Sequence, residues 1–161
     1  MSNDAPLADG AITAEGLDAL KAELEQLETE ARREMAARIL AARELGDLKE
    51  NAEYHIAKED QAHLETRIKR LQERLRNARV VEAPTGASDV VSFGATVVVT
   101  DEESGREATY TIVGPTEADM AAGKLSAESP VAQALMGTKV GATTKVATPR
   151  GERRLRVERL A

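Results

Sequence analysis

Gly46-Asp47-Leu48-Lys49-Glu50-Asn51-Ala52-Glu53-Tyr54-His55 decides how the first half of this chain folds, because it sets Gly46, Asp47, Glu50 and Asn51 between two long runs of helical periodicity. In the first run Leu17, Leu20, Leu24, Leu27 and Ala31 recur at alternating steps of three and four, the pattern of a coiled-coil seam. In the second, Ala57, Gln61, Leu64, Ile68, Leu71, Leu75 and Ala78 keep the same rhythm. If the chain reverses between Asp47 and Leu48, the numbers of facing positions sum to about 95 in an antiparallel register. Leu17 then meets Ala78, Leu20 meets Leu75, Leu24 meets Leu71, Leu27 meets Ile68 and Ala31 meets Leu64.

The same register sets Glu25 against Arg70 and Glu28 against Arg67, so a Glu-rich arm complements an Arg-rich one. Each exposed pair contributes only about 0–1 kcal/mol, but together they disfavour wrong registers. Towards the turn the seam is expected to weaken, with Glu34 facing Gln61 and Arg38 facing Ala57. At about 1.5 Å of rise per residue, the arm from Leu17 to the turn is about 45 Å long. Asp47 and Glu50 at such a tip have no pocket around them, so any reaction they serve takes place inside another molecule. A structural reading stands beside that one: Asp47 as a helix N-cap and Glu50 as its capping-box partner three residues on. If the second helix begins at about Leu48 to Glu50, both acids also face the same way.

Composition agrees with an extended first half. The chain has 161 residues, only 2% of them aromatic, with no Trp and one Phe, which argues against one large compact core. It has no Cys, so disulfides and thiolate metal sites are excluded, and two His are too few for a histidine zinc site. No run approaches the roughly 18 apolar residues of a membrane span, and residues 2–10 lack a signal-peptide profile, so the chain is expected to be cytoplasmic and off the membrane; it is also expected to be a monomer. A net charge of −6 disfavours broad binding to duplex DNA, which needs many cationic contacts to phosphate.

Pro84, Thr85 and Gly86 break the helical pattern, and β-branched runs at 95–100 and 107–113 follow on either side of a turn containing Gly105. A second hairpin is expected from 145–148 and 153–158 around Pro149-Arg150-Gly151. Between the hairpins, Ser129 as N-cap, Pro130 at the first helical position and Gly137 as the stop mark a short helix. The expected second half is a small α+β domain of four or five strands and one helix.

The stretch Ala42-Arg43-Glu44-Leu45-Gly46-Asp47-Leu48-Lys49-Glu50-Asn51-Ala52-Glu53-Tyr54-His55, followed by Ala57-Lys58-Glu59, resembles the tip of the bacterial transcript cleavage factors, the Gre family, and most closely its GreA type. Phe93-Gly94-Ala95-Thr96-Val97, Tyr110-Thr111-Ile112-Val113-Gly114, Ser129-Pro130-Val131-Ala132 and Leu135-Met136-Gly137 are similar to that family's C-terminal domain in order and spacing. The resemblance implies an α+β chain in which an antiparallel coiled-coil helical hairpin precedes a small FKBP-like domain. The expected division is a tail over 1–11, the hairpin over 12–82, a linker over 83–88 and a polymerase-docking domain over 89–161.

What the resemblance further implies is an accessory factor rather than an enzyme. It would dock at the secondary channel of RNA polymerase, on the largest subunit, and reach the catalytic centre with its tip. Asp47 and Glu50 match the family's two metal-supporting acids, which help hold a Mg²⁺ shared with the polymerase rather than bound by the isolated chain. Two metals can stabilise the attacking and leaving oxygens of one phosphodiester, and Mg²⁺ needs few protein carboxylates. The substrate is the 3′ end of nascent RNA extruded in backtracked complexes. Arg43 and Lys58 match a small basic patch that contacts this RNA without reading its sequence, and Leu48, Asn51 and Tyr54 are expected to support the tip. Ser126, Ser129 and Pro130 are candidates for docking. Arg67, Lys69, Arg70, Arg74, Arg76 and Arg79 are read as pairing and solubility residues, and His55 and His63 as surface residues.

Two other readings stand beside this one. A non-cleaving regulator of the same architecture would occupy the channel and inhibit, but it would not require Asp47 and Glu50 at their spacing. A prolyl isomerase is suggested by the second domain alone, yet that chemistry uses an aromatic-lined pocket and only Phe93 and Tyr110 are on offer there; fold analogy by itself is a poor warrant.

Overall fold

The computed structural model describes residues 10–82 and 88–161. The chain divides into two compact units, Leu17–Ala78 and Arg79–Ala161, the latter joined by the chain up to Gly16. The expected hairpin span of 12–82 contracts because β1 (Ala11–Ile12) and β2 (Arg79–Val80) pair in parallel as part of the second unit. Arg79 N donates to the Gly10 carbonyl and Val81 N to that of Ile12, each at 2.9 Å. Residues 1–9 of the expected tail and 83–87 of the expected linker lie outside the described residues.

The first unit is built from α1 (Ala14–Gln26), a π turn over Leu27–Ala31, α2 (Arg32–Arg43) and α3 (Ala52–Asn77). Its buried positions are Leu20 and Leu24 in α1, Ile39 and Ala42 in α2, and Ala57, Ile68 and Leu71 in α3. In α3 the spacing follows the heptad as expected. In the first arm a strict heptad from Leu17 would turn positions 34, 38 and 41 inward, but the residues that turn inward are Met35, Ile39 and Ala42, each one later.

The π turn accounts for the displacement. A single π turn accommodates one more residue than an α turn while the helix on either side keeps its phase. At this turn the Thr29 hydroxyl donates to the Glu25 carbonyl at 2.7 Å, competing with the main chain for that acceptor. The expectation that Glu34 and Arg38 face Gln61 and Ala57 is therefore corrected: both are exposed. The half of the hairpin nearest the turn is instead held by Ile39, Ala42 and Ala57, which are 8%, 5% and 0% exposed.

The flanking charges also differ from the expected pairs. Glu25 and Arg70 make no ion pair; Arg67 reaches Glu23, and Gln72 donates to Glu28 at 2.8 Å. Long side chains reach diagonal partners along the seam, so helical register alone does not name them. Arg32 binds Glu65 through two hydrogen bonds of 3.0 and 2.9 Å, and Arg38 meets Asp60 at 2.7 Å. The bond from Arg32 holds the Glu65 carboxyl below the ordinary carboxylate range. Such a pair stabilises the fold above the carboxyl's unfolded value, and the contribution is lost as pH falls through the depressed one.

The second unit is α+β. Strands β3 (Thr96–Asp101), β4 (Glu107–Val113), β5 (Lys124–Ser126), β6 (Thr143–Thr148) and β7 (Gly151–Leu160) form one sheet in the order β5-β4-β3-β7-β6, and α4 (Pro130–Leu135) packs on it. Both expected hairpins are present as antiparallel pairs, and where β7 pairs with β3 the extra residue Glu158 makes a bulge in β7 opposite Val98 and Val99. The parallel pairing of β4 with β5 is an addition to the sequence reading. Alternating inward residues, among them Val97, Val99, Ile112, Val157 and Leu135 of α4, make the core together with Phe93.

Deleting Glu30 from the π turn is predicted to leave both arms in phase as a regular helix and the melting midpoint unchanged or higher. Deleting Ala37 rotates the remainder of α2 by about 100° and takes Ile39 and Ala42 out of the seam, lowering the midpoint by about 4–8 °C per kcal/mol lost. Equal effects of the two deletions in thermal unfolding would contradict this account of the seam.

Candidate functional site

The turn is built from the ends of the two helices it joins. Leu45 N donates to the Ala42 carbonyl at 3.2 Å, closing α2. Gly46 follows with φ +143°, a conformation that L side chains avoid, although a side chain there would meet nothing within 4 Å. Asp47 then organises the tip: its Oδ1 accepts from Lys49 N at 3.0 Å, an Asx turn, and its carbonyl accepts from Glu50 N at 3.3 Å.

Asn51 closes the other side. Its Oδ1 accepts from Tyr54 N at 3.0 Å, capping α3, and its Nδ2 donates to the carbonyl of Ala42 in the last turn of α2. One half-buried side chain thus caps one helix and ties it to the end of the other. The capping-box reading of Asp47 and Glu50 is excluded by this arrangement, because the cap is Asn51 and α3 starts at Ala52. The second helix also begins later than the Leu48 to Glu50 start under which both acids would face the same way. Both sit in the non-helical turn, and both are exposed.

Around the acids, Arg43 at the end of α2 stacks over the Tyr54 ring at 5.9 Å, a cation–π contact. Tyr54 also meets the His55 ring edge-on at 5.7 Å, and His55 Nε2 lies 3.3 Å from the Lys49 carbonyl. Tyr54 and Asn51 therefore make contacts that brace the turn. Leu48 is 41% exposed. Lys58 donates to Gln61 at 2.9 Å within α3, while Arg43 is engaged with Tyr54. The sequence reading missed Asn51 as the cap, although an N-cap residue followed by an acid in the first turn, Glu53, is a legible helix start. His55 is exposed, and nothing in its neighbours along the chain announces its place beside Lys49.

Among the described residues no group of three or more His, Cys, Asp and Glu is arranged to hold a metal ion, and no helix is long and apolar enough to cross a membrane. Asp47 and Glu50 supply hard oxygen donors, the chemistry Mg²⁺ prefers. One Asp47 oxygen is engaged by Lys49 N.

In the second unit the candidate docking residues are occupied locally. Ser126 closes β5 and its carbonyl accepts from Ser129 N and Ser129 Oγ at 2.9 and 2.7 Å; Ser129 Oγ accepts from Ala132 N at 3.2 Å; Pro130 opens α4 and is exposed. Beside α4 the sheet leaves a cavity of about 300 Å³, floored by Val99, Tyr110, Val146 and Leu155 and edged by Arg106 and Arg153. Tyr110 is its one aromatic lining residue, and Phe93 lies in the core instead. That lining does not supply the aromatic cage the isomerase reading requires.

Comparison with known proteins bears on both units. Residues 11–80 match the family description "Transcription elongation factor, N-terminal", and residues 85–160 match "Transcription elongation factor, GreA/GreB, C-term". The transcription elongation factor GreA of Thioalkalivibrio sulfidiphilus is 48% identical over 143 residues, covering 88% of this chain and 90% of that protein. GreA of Bacillus subtilis is 45% identical over 150 residues, covering 93% and 95%. The crystal structure of GreA factor homolog 1 of Thermus thermophilus aligns with 94% of this chain and 97% of its own at 29% identity, with a TM-score of 0.41.

Asn51→Ala removes the cap and the bond to α2 together. It is predicted to cost at least the usual cap value of about 0.5–2 kcal/mol and to raise amide exchange at Tyr54 and His55 while leaving Leu71 protected. Unchanged exchange at Tyr54 would show that the turn is held by something else.

Proposed function

The chain belongs to the GreA/GreB family of transcription elongation factors, and from that premise we propose that it stimulates cleavage of the 3′ RNA in backtracked RNA polymerase complexes so that elongation resumes. In this reading it is an accessory factor: the bond is broken in the polymerase's active site, and this chain lends groups to it. The second unit docks on the polymerase at the secondary channel of the largest subunit, and the turn at residues 46–51 reaches the catalytic centre.

The observation that carries the proposal is that, among the described residues, folding the turn engages only one carboxylate oxygen of its two acids. Asn51 caps α3, Gly46 supplies the reversal, and Asp47 and Glu50 remain exposed. Had they formed the capping box, their presence would have had a sufficient structural cause. Asp47 and Glu50 would hold a Mg²⁺ together with the polymerase's own ligands, the substrate and water. When bound, such an ion lowers the pKa of its water and stabilises charge on the attacking and leaving oxygens.

The remaining tip residues have roles that follow from their contacts. Asp47 is oriented by the Lys49 N–H, which leaves its other oxygen for the metal. Arg43, stacked on Tyr54, presents a charge suited to RNA phosphate, with Lys58 further along α3 as the second cation. Ser129 fixes the start of α4, so that Pro130, with Ser126 preceding it, presents a defined edge for docking.

The test is RNA shortening in a stalled, backtracked complex with the cognate polymerase. Wild type is predicted to shorten the RNA, and Asp47→Asn/Glu50→Gln to bind equally while losing at least about 10²-fold of the stimulated rate. Binding that slows elongation without cleavage, in wild type and variant alike, would make the chain a channel-occupying regulator.

A further inference from the structure

Lys49 stands between the two acids of the turn, and its main chain is engaged on both sides. Its N–H donates to Asp47 Oδ1 at 3.0 Å, and its carbonyl oxygen lies 3.3 Å from His55 Nε2. The following N–H, that of Glu50, donates to the Asp47 carbonyl at 3.3 Å. The peptide unit that joins Lys49 to Glu50 is therefore held at its oxygen and at its nitrogen, and the Glu50 Cα hangs from it.

A carbonyl oxygen can only accept, so the imidazole nitrogen that faces it carries a proton and donates. Of the two bonds on this peptide, the one from Glu50 lies within the turn. The other comes from outside it, from a residue whose own N–H donates to the Asn51 carbonyl at 3.2 Å in the first turn of α3. The imidazole is itself set by its neighbour: it meets the Tyr54 ring edge-on at 5.7 Å, and Arg43 lies over that ring. His55 thus ties an irregular segment to a regular helix.

The fold does not require this bond. Asn51 already caps α3 through Tyr54 N, and the exposed Lys49 carbonyl could accept from water at little cost. Residues 46–50 are all exposed, so apolar packing does little to limit their motion, and hydrogen bonds to the main chain must do so. A side chain reaching back six residues to the peptide between two exposed acids serves the acids rather than the helix.

We propose that His55 is a positioning residue for the carboxylates of the turn. By holding the Lys49 carbonyl it fixes the peptide that carries Glu50 and, through the same residue, the N–H that orients Asp47. This rests on the cleavage function proposed above. His55 itself touches neither metal nor substrate; it keeps two ligands in place for a divalent ion whose remaining ligands come from elsewhere.

The test compares the full chain with His55→Phe and His55→Gln, both at an exposed position. Phenylalanine keeps a ring edge against Tyr54 and lacks the N–H; glutamine offers an N–H at similar reach and lacks the ring. Amide order parameters at Lys49 and Glu50 are measured by nitrogen-15 relaxation in the free protein. Wild type and His55→Gln should stay near the rigid-backbone value of about 0.85, and His55→Phe should fall towards about 0.6. In backtracked complexes saturated with factor, His55→Phe should raise the magnesium concentration for half-maximal cleavage roughly threefold to tenfold, the range set by one hydrogen bond. His55→Gln should match wild type, and polymerase binding should be unchanged in both. Order parameters and magnesium dependence in His55→Phe equal to those of wild type would overturn the proposal. So would equal losses in both variants, which would assign the effect to the ring. If wild type does not cleave at all, the proposed function fails, and the order parameters still decide whether His55 holds the Lys49–Glu50 peptide.

Discussion

Burial of one apolar stripe on each arm of the hairpin fixes the position of every residue beyond it, because the segment between Arg43 and Ala52 has no core of its own. Between α1 and α2 the stripe survives only because the π turn takes up a residue that would otherwise rotate Ile39 and Ala42 outward. A turn presented at the end of a long arm needs its last buried residues close by. Ile39, Ala42 and Ala57 supply them, and Asn51 adds a directed link where apolar contact ends.

The turn separates folding from chemistry. Backbone reversal falls to Gly46, capping to Asn51 and bracing to Tyr54 with Arg43 and His55. The two acids are left with little structural work, Asp47 accepting a single side-chain hydrogen bond from the main chain. Two exposed carboxylates are too few to complete the coordination of a divalent ion, which suits groups that act only when joined to a second set of ligands. By contrast, Glu117 in the loop after β4 accepts from Thr13 N, Gly114 N and the Thr13 hydroxyl.

Much of this was legible in the sequence for physical reasons that also mark its limits. Leu17 to Ala31 and Ala57 to Ala78 announce the seam because a helix repeats its face every three or four residues. Met35, Ile39 and Ala42 carried the signal of a shifted phase, but the Leu27-Glu28-Thr29-Glu30-Ala31 segment contains no glycine or proline to mark where the shift occurs. The acids at 47 and 50 were legible as a pair, yet their setting depended on where α3 begins, and Asn51 decided that. In the second unit both antiparallel hairpins followed from turn residues. The parallel strand β5, three residues long, and the pairing of β1 with β2 depend on contacts distant in sequence and left no local pattern. The grip of Glu117 on Thr13 was invisible for the same reason, 104 positions separating the partners.

Whether the turn supplies metal ligands is tested by the magnesium dependence of cleavage in a backtracked complex. With the polymerase saturated by factor, wild type is predicted to lower the magnesium concentration needed for half-maximal cleavage. Asp47→Asn/Glu50→Gln at the same occupancy should lose that shift and recover part of its rate at high magnesium. A magnesium dependence identical with and without the two carboxylates would contradict the account.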